Sequence, residues 1–538
     1  MENWTDMASN LEDIVENAKV SDEPPARYRL TPQNKNEGSD VFNFRKFTFG
    51  KKDPNKPNKT ILLVGATGSG KSTLINVMLN FVMGVQFEDK KWFEIVDDSA
   101  NASQADSQTS EVTVYEIFGF EGRTAPFSLT IIDTPGYGDT RGIEYDDMLN
   151  QSLLDLFRSD EGVQQVDAVG LVLKASVNRL DERLVYIFDS ITSLFGKDIK
   201  KNIVALVTFS DGMPPEDALK ALKTAKIKQA KDEKKQRIYF LFNNRQTTPM
   251  EKRMERLLQT AWETSMDGLE GLKDFLQKSE PQKLKTTLEV LTERIRLGAC
   301  IQNLKERIDF IELKQNMIKT TREALRKYEQ EMKTNEKFTV EVEEVYKEQE
   351  KIKGWWNSKA VCCKTCEENC HYPGCTLALN PAMCEVMKKG KCTSCSGKCP
   401  VEDHVKEKWE YVTKTRKVER EVDEDKKEKY EKNKAETQRR MGLLEDLEKK
   451  MEELTSNKDK WLVEAYHHVL QLQKIALNVD SLSTYVHLDF LIQKMREKND
   501  TEKVQKLEEM ENRMDTRTKA AALYFKKMTK FKDKPSKF

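Results

Sequence analysis

The segment Gly65-Ala66-Thr67-Gly68-Ser69-Gly70-Lys71-Ser72 constrains this chain more than any other. It fits G-x-x-x-x-G-K-[ST], follows the apolar run ILLV at 61–64 and opens the apolar stretch TLINVMLN. A buried strand that turns through glycines into a helix curls successive backbone N–H groups around a β-phosphate, and the helix N-terminus adds its positive dipole end. Lys71 then reaches the β- and γ-phosphates as a point charge, the Ser72 hydroxyl ligates magnesium, and Thr73 completes the phosphate-binding set. A glycine-rich turn without a ligand has no use for Lys followed by Ser.

The surroundings suit an α/β domain over about 41–280. Short β-rich runs (ILLV, FSLTII at 127–132, AVGLVL at 168–173, NIVALVTF at 202–209, IYFLF at 238–242) alternate with helical stretches. Strands of that length separated by helices imply a mainly parallel, doubly wound sheet. The run VTVYEIFGF ahead of FSLTIID is expected to form one antiparallel hairpin at the sheet edge. Residues 1–40 are polar and carry Pro24-Pro25, so a disordered segment is expected there.

A second motif, Asp133-Thr134-Pro135-Gly136, directly follows the strand SLTII, as D-x-x-G does in GTPases. Asp133 is expected to hold the magnesium shell through water, and the Gly136 N–H to sense the γ-phosphate. Between the two motifs lies a Ser/Thr/Asn-rich stretch that reads as the first switch loop. Thr109 is the choice there for closing on magnesium, with Ser110 and Thr113 as rivals. Base choice falls to two later strand ends. Thr208-Phe209-Ser210-Asp211 stands where GTPases have [NT]-K-x-D, and Asp211 accepts from the guanine N1–H and N2 amine. Phe209 replaces the usual Lys, so a ring would cover the base face. Asn243 and Asn244, in Phe242-Asn243-Asn244-Arg245, are placed to meet the guanine O6.

Through AVGLVLKASVNRLDERL, SLFGKDIKKNIVALVTFSD and FNNR, residues 58–280 resemble the immunity-associated nucleotide-binding GTPases, the GIMAP family. That resemblance implies a P-loop GTPase domain of a septin-like branch, binding GTP or GDP with Mg²⁺. It also implies slow hydrolysis and self-association of two G domains across the nucleotide. Phe209 departs from the family, whose members commonly carry a basic residue there. Tyr137 follows Gly136 where Ras-like proteins place a water-orienting Gln, so no catalytic residue is assigned beyond supporting roles for Lys71 and Thr109.

Beyond about residue 281 the apolar residues take helical spacing. Leu284, Leu288, Leu291 and Ile295 form one stripe, and Leu297, Ile301, Leu304, Ile308 and Ile311 another, with Cys300 on the same apolar side. An amphipathic helix with coiled-coil character is expected over 281–337. A similar stripe, Leu444, Leu447, Met451 and Leu454, opens a helical region over 422–515, in which Trp461, Leu462, Tyr466, Val469 and Leu472 are to be buried. FTVEVEEV and KWEYVTKTRKVERE, within 338–421, read either as paired strands or as charged helix. They flank a cysteine cluster symmetrically, which suggests a hairpin with a small knob at its tip.

That cluster, 362–404, holds nine of the ten cysteines. Its candidate zinc ligands are Cys363, Cys366, Cys370, His371, Cys375, Cys384, Cys392, Cys395, Cys399 and His404; Cys362 has no assigned role. The core C-x2-C-x3-C occurs twice, and Cys pairs two residues apart sit on tight turns that aim both thiolates at one ion. A segment so poor in large apolar residues needs metal to hold a fold. Two structural zinc ions are expected, with a disulfide knob or unligated thiols as alternatives. No carboxylate accompanies these residues in the pattern, so catalytic zinc is not expected.

Composition sets the outer limits. Lys+Arg and Asp+Glu are both 90, so nothing global favours nucleic acid. No basic region precedes an apolar run at the N-terminus, and no stretch of about 18 apolar residues occurs; a cytosolic, reducing setting is the expectation. The tail 516–538 carries seven lysines from Lys519 to Lys537 with interleaved aromatics, a solvated end or a weak contact with an anionic membrane. The leading expectation is a slow GTPase acting as a nucleotide-dependent, self-assembling switch or scaffold. A non-hydrolysing, nucleotide-bound interaction protein working through its zinc knob and coiled coil is the alternative.

Overall fold

The computed structural model describes residues 19–21, 24–36, 44–96, 111–137, 143–159, 162–177, 182–331, 338–352, 359–372, 378, 380–422, 460–478 and 482–513, with isolated helical positions between 449 and 456. The chain divides into two compact units, Met1–Leu291 with Gln473–Val486 and Glu509–Phe538, and Thr292–Leu472 with His487–Glu508.

The first unit is built on an eight-stranded mixed sheet. Its order is Tyr239–Leu241, Ile203–Thr208, Ala168–Lys174, Asn58–Gly65, Ser128–Asp133, Val112–Ile117, Phe44–Phe49, Asn34–Asn36. The first five strands run parallel, and the central ones are continuous apolar runs because helices cover both faces. Asn58–Gly65 and Ala168–Lys174 are buried along most of their length. Val112–Ile117 turns antiparallel to Ser128–Asp133, so the expected hairpin forms. It is not at the edge. Phe44–Phe49 pairs in parallel beyond it, and Asn34–Asn36 lies beyond that. Cross-strand chemistry explains the extension: Phe47 packs its ring 5.8 Å from that of Tyr115, and Glu116 pairs with Lys46 at 2.9 Å and accepts from the Thr48 hydroxyl.

Part of the N-terminal segment is ordered, contrary to its polar composition. Lys19–Ser21, Ala26–Arg29 and Lys91–Glu94 form a small sheet. Glu94 is fully buried, which would be costly alone. Arg27 meets it through two hydrogen bonds of 2.7 and 3.0 Å, and Tyr28 stacks on Phe93. A buried acid thus recruits the chain that composition alone reads as loose.

In the second unit the helix Lys285–Glu331 runs 47 residues, its bounds reaching back into the first. Leu297, Cys300, Ile301, Leu304, Ile308 and Ile311 are buried along it, as their spacing requires. Phe338–Lys351 and Trp409–Val422 pair antiparallel along their whole length, Phe338 opposite Val422 and Lys351 opposite Trp409. The paired-strand reading is therefore the one the fold adopts. Between the two strands sits the knob, in which Ala360–Cys363 is flanked by Glu368–His371 and His404–Glu407. Trp461, Leu462, Tyr466, Val469 and Leu472 are buried on a helix, whereas Leu444, Leu447, Met451, Leu454 and the basic tail lie outside the described residues. No helix among the described residues is long and apolar enough to cross a membrane.

Candidate functional site

The phosphate loop leaves the sheet at its centre, where Asn58–Gly65 lies between Ala168–Lys174 and Ser128–Asp133. Gly65 has no room for a side chain, since a Cβ there would lie 2.4 Å from the Val172 carbonyl oxygen. Gly68 and Gly70 take positive φ of 72° and 92°, which glycine adopts without strain. Gly70 caps the helix Lys71–Met83. The Lys71 ammonium folds back and donates to the carbonyls of Gly65 and Ala66, both at 3.2 Å. Burial lowers its pKa, and the charge of Asp133 opposes that shift. The Ser69 hydroxyl is buried without a hydrogen-bond partner among the described residues, while Ser72 and Thr73 are half-buried at the helix start.

Asp133 ends the neighbouring strand and is buried. The Thr134 hydroxyl donates to the Leu63 carbonyl at 2.9 Å, fastening this turn to the phosphate strand. Gly136 packs its backbone directly on Thr67, where a Cβ would come within 2.3 Å, and the Tyr137 N–H donates to the Gly65 carbonyl. The two motifs are thus one surface. Tyr137 is fully buried, with its hydroxyl 3.4 Å from Asn150 Oδ1. Thr109 and Ser110 lie outside the described residues. Thr113 stands opposite Asp133 in the strand register, and its hydroxyl donates to the Glu111 carbonyl.

At the base-reading end, roles shift from what the motif suggests. The Thr208 hydroxyl donates to the Ser69 carbonyl at 2.6 Å, so it braces the phosphate loop instead of facing a base. Phe209 takes φ 52° and stays 60% exposed. Its ring lies next to Gly70, and the Lys174 ammonium sits 5.2 Å above it. Asp211 is exposed and uses Oδ1 to accept from the Met213 N–H. The Ser210 N–H donates to the Phe242 carbonyl, which joins this turn to the one bearing Asn243 and Asn244. Ser265, buried on the helix Glu255–Lys278, accepts from the Asn243 N–H and donates to Asn244 Oδ1. That fixes the Asn244 amide so that Nδ2 is buried with no partner among the described residues. Lys174 and Ser265 were not foreseen from sequence. Lys174 carried a weak signal, as the one charge ending the run VGLVLK.

The cysteine knob brings nine of its ten candidate donors together; Cys375 lies outside the described residues. Three groups result: Cys363, Cys366, Cys395 and Cys399; Cys370, Cys392, Cys395 and His404; and His371, Cys384 and Glu385. Within each, the donor atoms lie within 4.8 Å of one another. Among the described residues the cysteines form no disulfide, and Cys366 and Cys399 approach to 3.5 Å between sulfurs. Such groups can hold a metal ion. Glu385 corrects the expectation that no carboxylate accompanies the cluster: it is buried, with Oε2 3.5 Å from His371 Nδ1. Sequence spacing hid it because one acid beside a cysteine is unremarkable. Cys300 and Cys362 are buried and belong to none of these groups.

Residues 59–261 match the model of the AIG1 family. No curated protein matches the chain by sequence. Among solved structures, Toc33 from Arabidopsis thaliana with Mg²⁺ and GMPPNP is 18% identical, with 42% of this chain and 88% of that chain covered at a TM-score of 0.29. A second, concerned with the importance of dimerization for the GTPase activity of the chloroplast translocon components atToc33 and psToc159, is 19% identical, covering 39% and 84% at 0.26. Elongation factor SelB from Methanococcus maripaludis with GPPNHP is 14% identical, covering 40% and 35% at 0.21.

Proposed function

We propose that this chain is a guanine-nucleotide-binding protein of the septin-like branch, a slow GTPase whose G domains pair when loaded. The observation that carries the reading is the junction of two turns, the glycine-lined loop that leads into Lys71 and the turn bearing Asp133 and Gly136, which pack into one surface. A buried ammonium facing a buried carboxylate, beside backbone that tolerates no side chain, suits a magnesium triphosphate. Ser72 and Asp133 would hold the ion, Ser72 directly and Asp133 through water, with Thr109 the proposed switch ligand. Asp211 and the fixed Asn244 amide supply the acceptor and donor that guanine needs and adenine does not match.

Slow turnover follows from Tyr137, whose buried ring leaves it no part in orienting an attacking water. Self-association rests on the resemblance of residues 58–280 and on the AIG1 family match. The knob we read as holding two structural zinc ions, and the setting as cytosolic. Weak contact of the tail with an anionic membrane belongs to the same proposal.

One preparation tests the reading. The full chain is purified gently, its nucleotide identified by chromatography, and phosphate release followed for hours at several protein concentrations. Guanine nucleotide is expected, with slow release whose specific rate rises with concentration. Adenine nucleotide would overturn the base assignment, GTP that persists unhydrolysed would overturn the activity, and a concentration-independent specific rate would overturn the pairing of G domains.

A further inference from the structure

The donors of the knob do not divide evenly between its groups. Two of its groups each supply four donor atoms, the number a structural zinc ion takes. Together they contain seven residues, not eight, because Cys395 belongs to both. We propose that the knob holds a two-zinc cluster in which the Cys395 thiolate bridges the ions. One ion is closed by Cys363, Cys366 and Cys399, the other by Cys370, Cys392 and His404. The inference rests on the zinc reading above and makes it more specific.

The local geometry is that of ligands. Four donors about 2.3 Å from a central ion stand about 3.8 Å apart along tetrahedral edges, and the Cys366 and Cys399 sulfurs are 3.5 Å apart. Backbone N–H groups already point at sulfur. Cys366 N donates to Cys363 Sγ, Ser394 and Cys395 N to Cys392 Sγ, Gly397 N to Cys366 Sγ, and Cys399 N to Cys395 Sγ, at 3.2–3.4 Å. Donors of that kind stabilise thiolate over thiol. They matter here because six thiolates and two dications leave a net charge of about −2 in a buried site.

His404 points the same way independently. Its Nδ1 donates to the Pro400 carbonyl at 2.8 Å, which leaves the lone pair on Nε2. Nε2 is buried and makes no hydrogen bond among the described residues. A buried acceptor without a donor costs about 1–3 kcal/mol, and a metal ion removes that cost. Gly397 is the steric counterpart: a Cβ there would lie 2.9 Å from Cys399 Sγ and 3.2 Å from Cys366 Sγ, so only glycine lets the backbone pass the cluster. The donor set, soft thiolates with one imidazole in tetrahedral groups, is that of zinc.

The test uses the full chain. Zinc is counted by native mass spectrometry, then exchanged for ¹¹³Cd and observed by NMR. Two cadmium resonances split by mutual coupling through the shared sulfur are expected, and irradiating one should collapse the other. Cadmium present in both groups with no mutual coupling would overturn the bridge while leaving the metal reading intact. A chain that takes up neither zinc nor cadmium would overturn the metal reading itself. The Cys384→Ser chain, which removes a donor of the third group, should keep both ions. Adding Cys395→Ser should take the count from two to zero, whereas loss of a single ion would mean separate sites. The coupling is read on the unmutated chain, so a misfolded variant cannot decide the question.

Discussion

Lys71 is a cation held where burial disfavours its charge, and Asp133 only partly offsets that. Its hydrogen bonds go to two carbonyls that a phosphate oxygen would outcompete. Lys71→Met keeps the length and removes the charge. With charge-assisted bonds contributing about 1.5–3 kcal/mol each, GDP affinity by calorimetry should fall at least about 100-fold; unchanged affinity would dismiss the site. Phe209 is the second informative residue. Its exposed ring lies between Gly70 and the Lys174 ammonium, and under the proposed guanine reading it would stack on the base. Phe209→Ala should weaken a fluorescent guanine nucleotide about fivefold, the equivalent of about 1 kcal/mol of stacking. The motif residues were legible because phosphate chemistry needs contiguous backbone. Thr208, Lys174 and Ser265 were not, because each acts through a partner from a distant segment.

Among the elements, the long ribbon shows how a weak pattern is resolved by pairing. Phe338–Lys351 alternates too loosely to be phased alone, yet opposite Trp409–Val422 its acids meet bases, as in Glu348 with Lys414 and Glu344 with Arg416. Val345 anchors it on Met317, Ile318 and Phe310. Val345→Ala deletes two buried methyl groups and should cost about 1.5 kcal/mol, read as a lower denaturation midpoint. The helix Leu482–Glu497 carries a pH dependence. His487 is held neutral, its pKa lowered to about 4 by burial, then by Lys305 and Arg294. The unfolded chain therefore binds more protons between about pH 6.5 and 4, so stability is full above that window and declines as pH falls through it. Urea titrations across the window should show this slope, and His487→Gln should flatten it; an equal slope in both chains would refute the assignment.

At the scale of the molecule, the phosphate loop lies in one compact unit and the cysteine knob in the other. Few large apolar residues line the knob, and its buried cluster consists mostly of cysteines. Removing metal with phenanthroline should therefore abolish the near-ultraviolet signal of Trp409 beside it, and added zinc should restore it. Nucleotide binding in the same sample is the control that the G domain stays folded, and an unaltered tryptophan signal would count against structural metal. By itself the sequence determined the phosphate loop, the parallel strands around it and the paired cysteine turns, because each depends on neighbours along the chain. Tertiary structure alone decided that Phe44–Phe49 extends the sheet, that Arg27 is drawn to buried Glu94, that Glu385 joins the knob, and that Cys395 stands between two groups of donors. Those outcomes depend on burial and on which segments meet, and a charge or thiol declares its partner only once both have left water.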